Sequence, residues 1–339
     1  MTKAKLGVIG IGWWSDVLAS SIAGSERAEV VAAYTRDAGK RAAFARRFGC
    51  LAAESLPSLL HMPELDGVII TVPNSAHRAV ALAAAAAGKH IFLEKPIANE
   101  LEDGAAIIAA CEQAGVVLSV GHGYRRHAAL RHMRALIDDG TMGRISFAEA
   151  IFAKGRGLGL KDPGDWRFRK SEMPGGCFLQ IGIHQVDNVL YLMGAARSVF
   201  GTFCRLETAA EIEDLASVLI TFESGAIATV SANYITADRF RLSLYGTNAI
   251  ATFDLVEGLL LQRRGEGSGS RLAIEPNDYL RAEIEEFAAC ISDGRPPEVG
   301  GREAMAALKV VRAAIDSAAK GRPVLLGDDP RSLPRAVGA

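Results

Sequence analysis

Lys95 and His184 are the side chains in this sequence best suited to hold a reacting oxygen and move its proton. Lys95 sits in Glu94-Lys95-Pro96, directly after an apolar run, His90–Leu93, that reads as a buried strand. In a doubly wound sheet the carboxyl ends of the strands face the ligand crevice, so a lysine there can reach a bound cofactor or substrate. Desolvation would lower its pKa toward a proton-transfer role. The plainer alternative is a lysine at the rim of a solvated loop. His184 lies in a second constellation, Gly175 to Asp187, where Gln180, His184 and Asp187 are spaced four and three apart. On a helix that spacing aligns them on one face, with Ile181, Ile183, Val186, Val189 and Leu190 on the apolar side. His184 is then a candidate acid or base. The competing reading is a structural histidine.

What such groups would act with is written near the N-terminus. Gly10-Ile11-Gly12-Trp13-Trp14-Ser15 follows a candidate strand and opens a candidate helix. Two glycines at that place let the backbone turn tightly and approach a pyrophosphate, which then sits on free N–H groups at the helix start. The third fingerprint position is Ser15, not Gly or Ala, so the motif is incomplete. The next strand ends Tyr34-Thr35-Arg36, with Lys40 a turn later. NAD sites usually carry an acid there for the ribose 2′-hydroxyl. Arg36 instead suits a 2′-phosphate, and Asp37, one residue late, reads as a helix cap. NADP is therefore favoured over NAD. If Arg36 only stacks on the adenine, both cofactors fit.

The elements that must position these groups fall into two halves. Candidate strands at 6–11, 28–34, 67–72, 90–93 and 116–120 alternate with candidate helices at 15–23, 37–48, 75–87 and 101–113. That rhythm predicts βαβ units and a parallel sheet covered on both faces. After a helix at 128–137 the pattern changes to strand-like runs at 144–152, 199–206, 215–222, 226–233, 241–245 and 249–255, with a helix at 181–193. Short turns between them predict a mostly antiparallel sheet, and helices at 279–291 and 304–319 close the chain. The expected architecture is α/β followed by α+β: a dinucleotide-binding domain over residues 1–122 and a substrate-binding and oligomerisation domain over residues 123–339.

Bulk properties narrow the class. The 339 residues carry 38 Lys+Arg against 39 Asp+Glu, a net charge of −1. Proteins of nucleic acids or membrane surfaces normally carry a basic excess, so neither partner is expected. The longest apolar run, Ala79 to Ala87, is nine residues, against the ~20 that span a bilayer. Five cysteines without CxxC pairing suit a reducing interior, and a cytoplasmic location is expected. No metal is expected: His122, His127 and His132 recur every five residues, which spreads them around a helix.

Taken with Thr71-Val72-Pro73-Asn74-Ser75-Ala76-His77, Glu94-Lys95-Pro96, the run from Val120 to Arg125, and Gly175-Gly176 followed by Gly182-Ile183-His184, the glycine turn resembles the glucose–fructose oxidoreductase / inositol dehydrogenase / rhizopine-catabolism family. The likeness extends through Tyr279, Glu283 and Phe287 to Gly321-Arg322-Pro323-Val324. It implies a Rossmann domain followed by an open-faced sheet domain, and NAD(P)-linked oxidation or reduction of a carbinol, usually on a sugar, polyol or cyclic diol. By that resemblance Lys95 matches the catalytic lysine and His184 the catalytic histidine. Thr71, Pro73, Asn74, His77, Glu94 and Lys95 would line the cofactor together with Gly10, Gly12, Trp13, Trp14, Thr35, Arg36 and Lys40. Tyr124, Gln180, Trp166, Arg167 and Asp187 would border the substrate. Many family members carry Asp where this chain has Gln180, which implies a substrate contact of different polarity.

The segment from Lys154 to Lys170 holds Lys154, Arg156, Lys161, Arg167, Arg169 and Lys170 against Asp162 and Asp165. If it borders the pocket, an anionic substrate fits; a solvated basic loop is the plainer reading. Other functions stay open: a dehydrogenase of aromatic catabolism acting on a dihydrodiol or semialdehyde hemiacetal, a catalytically silent NADP-binding regulator, or an enzyme that uses its cofactor transiently without net redox change. A homodimer or homotetramer through the second-half sheet is expected, because isolated chains rarely leave a broad apolar face uncovered.

Overall fold

The computed structural model describes residues 3–155, 157 and 165–327. Arg156, Lys161 and Asp162 of the basic loop lie outside the described residues. The first part runs β1 (Ala4–Ile9), α1 (Trp13–Ser21), β2 (Ala28–Tyr34), α2 (Ala38–Phe48), β3 (Leu51–Ala52), α3 (Leu56–Leu60), β4 (Gly67–Ile70), α4 (His77–Ala86), β5 (His90–Glu94), α5 (Leu101–Ala114) and β6 (Leu118–Gly121). The six strands form one parallel sheet in the order β3-β2-β1-β4-β5-β6. This is the strand order of the dinucleotide-binding fold, with its switch point between β1 and β4. Every residue of β4 is buried, as a strand covered on both faces requires. The short β3 and α3 were not expected, since two paired residues carry no readable alternation.

The chain continues with α6 (Ala128–Asp138), β7 (Ile145–Ala153), α7 (Ile183–Met193), β8 (Ala196–Cys204), β9 (Leu215–Phe222), β10 (Ile227–Asn233), β11 (Arg239–Gly246), β12 (Ala249–Asp254), β13 (Gly258–Arg263) and β14 (Ser270–Arg271). After α8 (Tyr279–Asp293) and α9 (Gly301–Lys320) the last element among the described residues is β15 (Val324–Leu325). Among the described residues the second sheet has nine strands in the order β14-β13-β12-β11-β7-β10-β9-β8-β15. All its pairings are antiparallel except β10 with β7. Strands β13, β14 and β15 add to those expected.

Two compact units emerge, and a single cut does not separate them. One comprises residues 1–127 and 276–305, the other 128–275 and 306–339. The expected boundary after residue 122 therefore moves to 127, and α8 returns to the first unit. The reason is its apolar face: Ile284, Phe287 and Ala288 are buried in the same core as Leu6, Val8, Leu18, Ile69 and Phe92, with the Phe287 and Phe92 rings 5.9 Å apart. The second sheet buries one face and opens the other. Along β9, Ala216, Val218, Ile220 and Phe222 are buried while Ser217 and Leu219 are exposed. No helix among the described residues is long and apolar enough to cross a membrane.

Candidate active site

The turn after β1 is shaped as its glycines suggested. Gly10 has φ +91°, and a β-carbon there would lie 2.8 Å from the Val72 backbone nitrogen. Only glycine meets both demands. A β-carbon on Gly12 would meet nothing within 4 Å, which leaves room beside the start of α1 for an anionic group. Ser15, which looked like a defect in the fingerprint, braces this turn. Its hydroxyl donates to the Gly12 carbonyl at 2.8 Å and accepts from the Gly12 N–H at 2.9 Å. Thr71 ties the turn from the other side, its hydroxyl donating to the Gly10 carbonyl at 2.5 Å. Trp13 is 69% exposed. A tight turn, an open glycine and a helix start fit a dinucleotide pyrophosphate.

Arg36, Asp37 and Lys40 follow the end of β2. The Asp37 carboxylate accepts the Lys40 N–H at 3.0 Å and caps α2. That backbone bond is the main cause holding its pKa below the ordinary aspartate value. Asp37 is thus committed to the helix. Arg36 and Lys40 are exposed, and among the described residues Arg36 makes no hydrogen bond or ion pair. Arg41 lies inward, donating to the Thr35 carbonyl at 2.7 Å, its guanidinium 5.9 Å from the Tyr34 ring centre. In the sequence Arg41 carries no signal beyond its place in the first turn of α2.

At the ends of β4 and β5 several expected residues turn out to hold each other. Asn74 is buried and donates to the Asn99 side chain at 3.2 Å. His77 is 1% exposed, with its ring nitrogens 2.9 Å from the Pro96 carbonyl and 3.1 Å from the Val72 carbonyl. Burial pushes its pKa down to about 4, so the ring is neutral near pH 7 and braces the turn after β4 against that after β5. Lys95 is half-buried, and the Lys95–Pro96 bond is cis. Glu94 is buried and receives the Trp14 indole N–H at 2.5 Å and the Lys95 backbone N–H at 3.2 Å. Burial raises its pKa, against the Lys95 charge and these two donors. Tyr124 stacks on Tyr279 with ring centres 5.3 Å apart, and burial raises its pKa.

In the second unit the four- and three-residue spacing of Gln180, His184 and Asp187 does not describe a continuous α-helix. Phe178–Gly182 form a π-helical turn that leads into α7; such turns are frequent at functional sites. Gln180 Oε1 accepts the hydroxyl of the buried Tyr234. His184 is half-buried, its ring 5.9 Å from that of Phe152. Asp187 is buried. Gln185, which no motif flagged, pins α7 to the sheet by donating to the Ile151 and Arg241 carbonyls at 3.0 and 3.1 Å.

Three of the described cations of the basic loop have acidic partners. Lys154 pairs with Asp238 at 2.7 Å and Lys170 with Glu213 at 2.6 Å. Arg167 lies 3.6 Å from Asp165, its guanidinium 4.2 Å from the Trp166 ring centre.

The family models match both parts of the chain. Residues 4–122 match an oxidoreductase family with an NAD-binding Rossmann fold, and residues 130–252 match the GFO/IDH/MocA C-terminal domain. The 1,5-anhydro-D-fructose reductase of Ensifer adhaerens is 30% identical over 328 residues, covering 91% of this chain and 97% of that protein. A Desulfitobacterium hafniense structure, provisionally labelled an NADPH-dependent oxidoreductase, superposes with a TM-score of 0.92 at 33% identity, covering 96% of this chain and 98% of its own. The aldose–aldose oxidoreductase of Caulobacter crescentus gives a TM-score of 0.88 at 26% identity, with coverages of 96% and 100%. The chain belongs to the GFO/IDH/MocA family of oxidoreductases, its NAD(P)-binding Rossmann fold followed by the C-terminal domain of that family.

Proposed function

We propose that this protein is an NADP-preferring oxidoreductase of the cytoplasm acting on a sugar, polyol or sugar-derived substrate, with Lys95 and His184 handling the substrate oxygen. The nicotinamide would supply or accept a hydride at C4. The observation that carries the reading is the placement of Lys95: at the carboxyl end of an inner Rossmann strand, half-buried, next to a buried carboxylate. A lysine so placed can donate a hydrogen bond to a carbonyl oxygen or receive the proton of a carbinol. His184 can share that task, while Tyr124 and Gln180 orient the ring. The relatives named above support a sugar-type substrate. The acidic partners of Lys154 and Lys170 weaken the basic loop as support for an anionic one.

The cofactor preference rests on Asp37. With that carboxylate bound to the Lys40 N–H, Arg36 and Lys40 offer two cations to a 2′-phosphate. Charge-assisted bonds contribute about 1.5–3 kcal/mol each. Arg36→Ala is therefore expected to weaken NADPH binding roughly 10- to 100-fold and NADH binding less than threefold, read by titration of reduced-cofactor fluorescence. Equal losses for both cofactors would remove the assignment of Arg36. A wild type that binds neither below about 1 mM would remove the cofactor reading. A panel of 1,5-anhydro-D-fructose, aldoses and polyols, followed at 340 nm, tests the substrate class.

Assembly is expected through the open face of the second sheet. Phe200, Leu219 and Ile227 are each about two-fifths exposed. Phe200 is paired with Leu219, and Leu219 with Thr229, across adjacent strands. A homodimer or homotetramer would cover this face. Leu219→Asp is expected to give a monomer by light scattering with a melting temperature within a few degrees of the dissociated wild type. A wild type already monomeric at micromolar concentration refutes the proposal.

A further inference from the structure

The bond between Trp14 and Glu94 joins two turns that the sheet keeps apart. Trp14 belongs to the first turn of α1, after β1, and Glu94 ends β5. Between β1 and β5 lies β4, so the contact crosses two strand spacings, about 10 Å. A side chain that spans this distance and ends in a donor must be long and rigid. The indole does so, placing Nε1 2.5 Å from Glu94 Oε1.

The carboxylate has a seat built for it. Glu94 pairs in register with Gly121 on β6, and a β-carbon on Gly121 would lie 2.9 Å from Glu94 Oε1. Glycine there lets the carboxyl lie over the strand end. The other oxygen, Oε2, accepts the backbone N–H of Lys95 at 3.2 Å. One buried carboxylate thus holds the glycine-turn helix by one oxygen and the Lys95 turn by the other. A second buried acid, Glu283, packs beside Gly123.

We propose that Trp14 is a positioning residue: through Glu94 its indole N–H ties the turn that receives the cofactor phosphates to the turn that carries Lys95, so that the two bind cofactor as one unit. This rests on the cofactor-binding reading given above, and it assigns Trp14 to Lys95 placement in addition to any contact with the nucleotide. The tie explains why an aromatic donor follows the second glycine, and why β6 ends in glycine opposite a glutamate.

The test is a double-mutant cycle on NADPH affinity, read from NADPH fluorescence and therefore independent of the substrate. In the wild-type background Lys95→Met is expected to weaken NADPH about fivefold. In the Trp14→Phe background, where the donor is lost and the aromatic bulk kept, the same change should cost less than twofold, because Lys95 is no longer held in place. Gly121→Ala, which displaces the carboxylate without touching Trp14 or Lys95, should abolish the coupling in the same way and covers the case in which Trp14→Phe folds poorly. A merely structural role would lower the melting temperature and leave the fivefold effect intact in both backgrounds; that result overturns the proposal. A wild type that binds no nicotinamide cofactor overturns the underlying reading and the tie with it, whereas tight wild-type binding with independent effects overturns only the tie.

Discussion

Lys95→Met should lower kcat roughly a thousandfold while NADPH still binds within about an order of magnitude of wild type. General acid–base groups typically contribute 10²–10⁴-fold, and methionine keeps much of the lysine stem's volume while removing the ammonium. The loss should fall on kcat and kcat/KM alike, because the interaction strengthens as charge develops on the substrate oxygen. His184→Asn is expected to fall in the same range. If both groups act on one oxygen, as proposed, the double variant should lose little more than the worse single one, because the effects of groups that work as a unit do not add. Single-turnover absorbance at 340 nm with the best substrate of the panel measures all three. A Lys95→Met enzyme within tenfold of wild type would assign the proton to another group and leave Lys95 a cofactor contact.

How much of this was legible beforehand depended on how local the signal was. The parallel sheet was readable because each strand and helix announces itself within a dozen residues, through apolar runs such as Gly67–Ile70 and the alanine-rich α4. Asp37 could be read as a cap because a cap acts three residues away. Ser15 could not, since its hydroxyl braces Gly12 by a bond pattern that the fingerprint does not specify. Partners distant in sequence were invisible: Trp14 and Glu94 are 80 residues apart and Gln180 and Tyr234 are 54. The same holds for Asp238 and Glu213, which compensate lysines of a loop read as solvated or, if it bordered the pocket, as a site for an anionic substrate. The return of α8 to the first unit was hidden for another reason. Its apolar stripe shows that Ile284 and Phe287 are buried, but periodicity carries no address for the core that receives them. The π-helical turn at Phe178–Gly182 was missed because spacings of three and four also fit an ordinary helix.

His77→Gln should flatten the acid limb of the stability curve by about 3 kcal/mol between pH 6.5 and pH 4. The folded ring is held at a pKa of about 4 against an unfolded value of 6.5. Between those limits the unfolded chain binds a proton that the native state refuses, so wild-type stability falls as pH falls through the window. The contribution is complete above 6.5 and gone below 4; two and a half pH units correspond to about 3 kcal/mol. Other groups titrate nearby with mixed signs. Burial also lowers the pKa of His90 and His127, which adds to the acid loss. Glu94 and Glu283 are raised by burial, Glu283 well above its ordinary value. A carboxyl whose pKa is raised by folding takes up its proton at a higher pH in the native state than in the unfolded chain, so as pH falls these two oppose the histidines. The difference between wild type and His77→Gln at each pH removes these shared contributions and isolates the ring. Glutamine can still donate to the Val72 or Pro96 carbonyl, so the variant is expected to lose only about 1–2 kcal/mol at pH 7.5. Urea denaturation at half-unit pH steps gives both curves. Parallel curves would mean that His77 takes up its proton in the folded state, and that the Pro96 and Val72 carbonyls together outweigh its burial.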